Sequence, residues 1–207
     1  MISSIDWYFD VISPFAHLQM QLLPSLPTKL HIQYRPVLFA GLLNHWGQLG
    51  PAEIPSKRLH TYSYSRWLAG KHGLQLNLPA AHPFNPLPLL RLAVLVGNDH
   101  GAIKRIFELV WRDAKLPQDS AALNTLIQEL GVDADRISAP ETKRQLKDNT
   151  DEAIERGVFG VPSFVTGDRI FWGFDATDML IDFLNDPDSF AEDTRRIGEL
   201  PEAAHRR

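Results

Sequence analysis

Two short segments of this chain carry residue types able to hold a reactive anion. The first, Asp10-Val11-Ile12-Ser13-Pro14-Phe15, lies between the strand-like run Ile5-Asp6-Trp7-Tyr8-Phe9 and a stretch of helical periodicity. At a strand-to-helix junction, free backbone N–H groups and the positive end of the helix dipole stabilise an anion, a thiolate included, and the Ser13 hydroxyl adds one more donor. The same Ser-Pro pair is what an ordinary helix start needs, with Ser as the N-cap and Pro at the first helical position. The second segment, Phe159-Gly160-Val161-Pro162-Ser163-Phe164, opens a later strand. A cis Val161-Pro162 bond would turn the Val161 backbone outward to pair with an extended peptide beside Ser13, by strand addition; the alternative is a trans proline on an edge strand.

Composition narrows the chemistry. The chain of 207 residues contains no cysteine, which excludes disulfides, Cys-ligated metals, a cysteine nucleophile and a Cys-x-x-Cys redox centre. Any thiol chemistry must borrow its thiol. With 21 Lys plus Arg against 25 Asp plus Glu, a net charge of -4 and scattered basic residues, the chain does not carry the electrostatic footprint of a nucleic-acid binder. The longest runs without Asp, Glu, Lys or Arg, Val11 to Thr28 and His72 to Leu90, are broken by prolines and are not membrane spans. No basic segment precedes the first strand, so the reading is a cytoplasmic protein without a secretory signal. The eight histidines form no His-x-x-x-His pair with a carboxylate partner, and neither nucleotide-binding glycine motif is present, so no metal and no nucleotide cofactor is expected.

The elements that position the two segments follow from periodicity. Phe15, Leu18, Leu22 and Leu23 give a helix that Pro24 stops, and the alternation Leu30-His31-Ile32-Gln33-Tyr34 gives a second strand, closing a parallel βαβ unit. From Pro36 to about Ile154 the pattern is helical. Ile103, Ile106, Phe107, Val110 and Trp111 make one helix face; Leu123, Leu126, Ile127 and Leu130 make another, capped by Asp119 or Ser120 and ended by Gly131; a third helix runs from Pro140 to Gly157. Gln75 to Pro88 is rich in proline and reads as an ordered loop. Strand signals return at Val161–Val165 and Arg169–Gly173 around a Gly167-Asp168 turn, and a helix from Thr177 to Leu184 follows, with Asp175 available as its cap. The fold class is therefore α/β: a thioredoxin-like βαβ–ββα core with a large all-helical insertion. The expected division is residues 1–35 and 157–190 for the thioredoxin-like domain, 36–156 for the helical insertion domain, and 191–207 for a charged C-terminal tail.

These motifs, in this order, resemble the kappa-class glutathione transferases and 2-hydroxychromene-2-carboxylate isomerases of the DsbA-like thioredoxin superfamily. The resemblance rests on Tyr8 to Phe15, Arg35-Pro36-Val37-Leu38, Gly50-Pro51-Ala52-Glu53-Ile54-Pro55-Ser56-Lys57, His82-Pro83-Phe84-Asn85-Pro86-Leu87 and Phe159-Gly160-Val161-Pro162, and so spans nearly the whole chain. Where disulfide oxidoreductases of the superfamily carry two cysteines, this chain has Ser13 and Ala16.

The resemblance implies glutathione as cofactor, with Ser13 at its sulfur, Val161 and Pro162 along its backbone, and Gln48, Lys57, Asp175 and Ala176 contributing to its site. Gln48 stands where kappa sequences have Asn, and Phe174-Asp175-Ala176 where they have Ser-Asp-Arg; Phe84-Asn85-Pro86 resembles the isomerase branch. Phe15, Phe84 and Asn85 are then expected beside the second substrate, and Arg35 or Lys57 opposite its carboxylate. Without the resemblance, Lys57 is a solvated charge, Asp175 a helix cap and Asn85 a turn residue. The five tryptophans read as core or pocket walls, with Trp46 and Trp172 near the site.

The function expected is a glutathione-dependent isomerase acting on an aromatic enone acid and its ring-closed hemiketal, with a trans-o-hydroxybenzylidenepyruvate-like product. Two alternatives stand beside it: a kappa-like transferase, and a cysteine-free thioredoxin-fold module that binds peptides. The resemblance also implies a homodimer, and no nucleic-acid or membrane partner is expected.

Overall fold

The computed structural model describes residues 2–27, 30–191 and 197–201; much of the expected tail, 192–196 and 202–207, lies outside the described residues. The chain opens with strand β1 (Ser4–Phe9), helix α1 (Pro14–Leu22) and strand β2 (His31–Pro36), where β1 and β2 pair in parallel. Helices α2 (Phe39–Trp46), α3 (Pro55–His72), α4 (Leu87–Val96), α5 (His100–Trp111), α6 (Ser120–Glu129), α7 (Ala134–Ser138) and α8 (Pro140–Glu155) follow, and then the hairpin β3 (Ser163–Thr166) and β4 (Arg169–Trp172) and helix α9 (Ala176–Asn185). The sheet order is β2-β1-β3-β4, with β3 antiparallel to β1 and β4 antiparallel to β3. This is the expected α/β order of βαβ, helices, ββα.

Alternation along β1 sends Ile5, Trp7 and Phe9 into the main core. Trp7 stacks on Phe9 at 4.6 Å between ring centroids, and both rings contact Phe107 of α5. Burial of aromatic side chains of this size stabilises the fold by about 1.5–3 kcal/mol each. The apolar stripe of α5 lies wholly inside, as its spacing predicts, so the helical insertion and the sheet share one core. A smaller cluster, Leu18 of α1, Leu68 and Ala69 of α3, and Phe174 before α9, ties the three elements that surround the candidate site.

Two buried polar residues on α1 do not fit its apolar pattern. Gln19 accepts from Trp7 Nε1 at 2.7 Å and donates to Gly173 O at 3.0 Å and Thr177 Oγ1 at 2.9 Å, locking the approach to α9 onto α1. His17 lies against Trp111, and burial pushes its pKa down to about 4.

Candidate functional site

A cavity of about 660 Å³ opens where the carboxyl end of β1, the N-terminus of α1, the Val161-Pro162 segment and helix α3 converge. Its size suits a tripeptide or drug-sized ligand. Ser13 is among its polar lining residues, at 8% exposure. The Ser13 side chain is the N-cap of α1, accepting from Ala16 N at 3.3 Å; a hydroxyl in that role keeps its O–H to donate. The cap and anion-holding readings therefore coexist in one residue.

The loop before Ser13 is fixed from three directions. The Asp10 carboxylate accepts from Ile12 N at 3.0 Å and Phe39 N at 2.9 Å, so it ties the start of α1 to the start of α2. Trp111 Nε1 donates to Val11 O at 2.8 Å, and His82 Nε2 meets Ile12 O at 2.8 Å. Burial raises the Asp10 pKa to about 7 against the lowering effect of its two backbone donors. The insertion thus holds the segment that carries Ser13.

Beside this loop, the Val161-Pro162 bond is cis, and both residues line the cavity. Gly160 lies under the Trp172 indole, where a Cβ would stand 2.4 Å from Nε1, so only glycine admits that stacking. Gly173 has φ +93° and donates to Pro162 O at 2.8 Å, and a Cβ there would meet the Asp175 carboxylate at 2.5 Å. The glycine thereby lets Asp175 fold back toward the cavity.

The structure brings most of the expected residues together: Ser13, Phe15, Gln48, Lys57, Phe84, Val161, Pro162 and Asp175 all line the cavity. Three do not. Arg35 bonds Asp6 at 2.8 Å; in the β1–β2 register it stands opposite Tyr8, two residues along from Asp6 on the same face, and this cross-strand pairing draws it from the site. Asn85 accepts from Leu87 N at 3.1 Å and so serves the turn into α4. Ala176 is the first residue of α9 and packs against the main core. Asp175 is the N-cap by position, yet its side chain makes no cap hydrogen bond.

Among the tryptophans, Trp172 lines the cavity at 53% exposure, whereas Trp46 bonds Val158 O and is not a lining residue. Trp67, expected in the core or a pocket wall, is 56% exposed on the outer side of α3 with Lys71 Nζ 5.0 Å above its ring.

The sequence reading missed a polar group on the insertion side. Arg58, Thr61 and Tyr62 of α3 line the cavity beside Lys57, as does His82, whose bond to Pro83 is also cis. The α3 residues, with Tyr64 and Leu68, form one helical stripe, but its polar residues carry no apolar periodicity by which to single it out. Among the described residues no cluster of His, Asp or Glu could hold a metal ion, and no helix is long and apolar enough to cross a membrane.

Residues 4–185 match the model of the DsbA-like thioredoxin domain. The chain is 30% identical to the 2-hydroxychromene-2-carboxylate isomerase of Sphingobium xenophagum over 197 residues, covering 90% of this chain and all of the relative. It belongs to the DsbA-like thioredoxin family, in the branch of these isomerases and the kappa glutathione transferases. Human glutathione S-transferase kappa 1 is 23% identical, with 99% of this chain and 97% of the relative covered. A solved 2-hydroxychromene-2-carboxylate isomerase superposes with a TM-score of 0.78 at 25% identity, covering 96% of this chain and 100% of that one. The chain has no cysteine, so the cavity that the helix start and the proline segment line holds no thiol of its own.

Proposed function

We propose that this protein is a glutathione-dependent isomerase of the 2-hydroxychromene-2-carboxylate type. The observation that carries the reading is the meeting, in one cavity of a chain without cysteine, of the Ser13 hydroxyl at the α1 N-terminus with the Val161-Pro162 edge and Asp175. Isomerases among the relatives that match nearly full length support it.

The residues present fit the tripeptide. Val161 offers backbone polar groups to an extended peptide. Asp175 suits an ammonium group, while Lys57 and the neighbouring Arg58 supply the cavity's cations for carboxylates. Gln48 lines the same rim. When bound, glutathione would supply a thiolate nucleophile able to add reversibly to a conjugated double bond and so free it to rotate. Ser13 donates its O–H toward the sulfur, and the first N–H groups and dipole of α1 favour the anion over the neutral thiol, whose ordinary pKa is about 8.5. Phe15, Phe84 and Trp172 provide apolar walls for an aromatic substrate, and with Arg35 held by Asp6, Lys57 and Arg58 are the groups to face its carboxylate.

Calorimetric titration with reduced glutathione tests the reading: one saturable site is expected, and no heat at millimolar ligand overturns it. Product analysis then separates the isomerase, which leaves glutathione unconsumed, from a kappa-like transferase, which consumes it in proportion to substrate. Binding of an unstructured peptide that glutathione does not displace would favour the peptide-binding module. The reading extends to a cytoplasmic homodimer with the division into 1–35 plus 157–190 and 36–156; a light-scattering mass near 23.4 kDa would overturn the dimer.

A further inference from the structure

We propose that Tyr62 and His82 form a proton relay on the insertion side of the cavity, and that this relay opens and closes the ring of a cyclic hemiketal acid. The proposal takes its substrate class from the isomerase reading but concerns a different step from thiolate addition. His82 Nε2 lies 2.8 Å from the Ile12 carbonyl, and Nδ1 lies 2.7 Å from the Tyr62 hydroxyl. A carbonyl oxygen only accepts, so Nε2 carries the hydrogen; in the neutral ring Nδ1 is then an acceptor, and Tyr62 donates to it. The Tyr62 oxygen keeps lone pairs for a proton from a ligand in the cavity that both residues line.

The surroundings hold this arrangement in place. Arg58 Nη2 donates to the His82 carbonyl at 2.8 Å, and its guanidinium lies 5.7 Å from the Tyr62 ring centroid. The His82 ring meets Trp111 and Phe84 edge-on or tilted. Burial, with Arg58 adding to it, keeps the His82 pKa below the ordinary histidine value against the Ile12 carbonyl, which raises it. The ring is therefore neutral near pH 7 and, once protonated, a willing donor. The hydrogen-bonded chain ends at Ile12, one residue before Ser13, so both chemistries are anchored to the same loop.

The balance closes without a co-reactant. The hemiketal hydroxyl gives its proton to the Tyr62 oxygen as the Tyr62 proton passes to His82 Nδ1. The freed O–H pair becomes the π bond of a ketone, and the bond from that carbon to the ring oxygen breaks, its pair leaving on the phenolate. The His82 proton then returns through Tyr62 to the phenolate. The open enone acid is the form on which a double bond can be rotated.

Magnetisation-transfer NMR between the hemiketal and ketone carbons of 2-hydroxychromene-2-carboxylate, without glutathione, reads ring opening alone. Wild-type protein should accelerate the exchange, and Tyr62→Phe and His82→Gln should each lose about a hundredfold of that acceleration, a usual general acid–base contribution. Urea unfolding midpoints close to the wild-type value show that each variant keeps the fold. Wild-type exchange no faster than buffer, or Tyr62→Phe as fast as wild type, overturns the relay whatever glutathione does. Accelerated exchange without glutathione binding sustains the relay and overturns the isomerase reading.

Discussion

On the sheet side of the cavity, Ser13, Val161, Pro162 and Gly173 present mainly backbone groups and one hydroxyl, fixed by strand pairing and the cap of α1. On the insertion side, Lys57, Arg58, Tyr62 and His82 present side chains from a helix and a long loop, several of them solvent-facing. The difference teaches how one frame serves several chemistries. Backbone donors at a helix start suit any thiolate, whether it belongs to the chain or to a ligand. The insertion contributes Lys57, Arg58, Tyr62 and His82 to the lining, and in the proposed reaction these would choose the second reactant. Asp10 joins the sides, since one carboxylate caps Ile12 of the first and Phe39 of the second.

Removing the sheet side's one hydroxyl should have the largest effect. Ser13→Ala is expected to lower turnover by about 10²–10³, as loss of a preorganised donor to a developing or held anion does. Its cap bond to Ala16 N is worth only about 1 kcal/mol. Steady-state rates beside denaturant unfolding check this; a stability loss large enough to account for the rate loss would leave Ser13 a cap alone.

The next effect falls on the joint between the sides and shows in pH dependence. With its folded pKa near 7 and its unfolded value about 3.9, Asp10 is protonated in the fold and ionised in the unfolded chain between them. The folded state then binds more protons, so this group's contribution to stability is present below about pH 4 and is lost as pH rises to about 7. His17, held down near 4 against about 6.5 unfolded, has the opposite slope, its contribution growing as pH rises from about 4 to 6.5. At about 1.36 kcal/mol per pKa unit, Asp10 amounts to roughly 4 kcal/mol and His17 to roughly 3 kcal/mol across its window, so in wild type the two largely offset each other in this range. Asp10→Asn should expose a rising curve and His17→Gln a falling one in urea unfolding between pH 4.5 and 7.5. Asp10→Asn also turns an amide N–H₂ toward Ile12 N or Phe39 N, lowering stability at pH 5 by about 1–3 kcal/mol.

The sheet side was legible because its chemistry is punctuated. Ser-Pro at a helix start and Gly-Val-Pro at a strand start are backbone demands that leave their mark on residue type. The insertion side follows from partners that the sequence does not display. Arg35 looks available until the β1–β2 register sets it diagonally to Asp6. Asn85 looks poised between Phe84 and Pro86, yet the Leu87 N–H two residues on claims its oxygen. Tyr62 and Arg58 are ordinary members of a polar helix until a distant loop brings His82 against them. Helices were read from apolar spacing, so α5, α6 and α8 were visible, whereas α3, with few apolar residues on a single face, was legible only as part of a helical block.

A smaller effect is expected at the cation that both expectations place in the site. Lys57→Ala should weaken glutathione about fivefold to tenfold, near 1–1.4 kcal/mol, because the side chain is solvent-facing and its attraction is screened. Titration at two salt concentrations checks this: the gap between wild type and variant should narrow at high salt. A salt-independent gap would point to lost packing instead of lost charge.

The smallest effect separates the cation the structure leaves in the site from the one it removes. Arg35 and Arg156 both contact Asp6, at 2.8 Å and 2.6 Å. In Arg35→Ala the Asp6 carboxylate therefore keeps a guanidinium partner, and the loss from this half-exposed pair should stay within about 1 kcal/mol. Neither glutathione affinity nor KM for a carboxylate substrate should change by more than about twofold, since nothing of Arg35 lines the cavity. A Lys57→Ala effect without an Arg35→Ala effect places ligand recognition on the insertion side. A tenfold rise in KM for Arg35→Ala, with the fold intact, would mean that the strand pairing opens on binding and that the sheet side supplies a charge as well as a backbone.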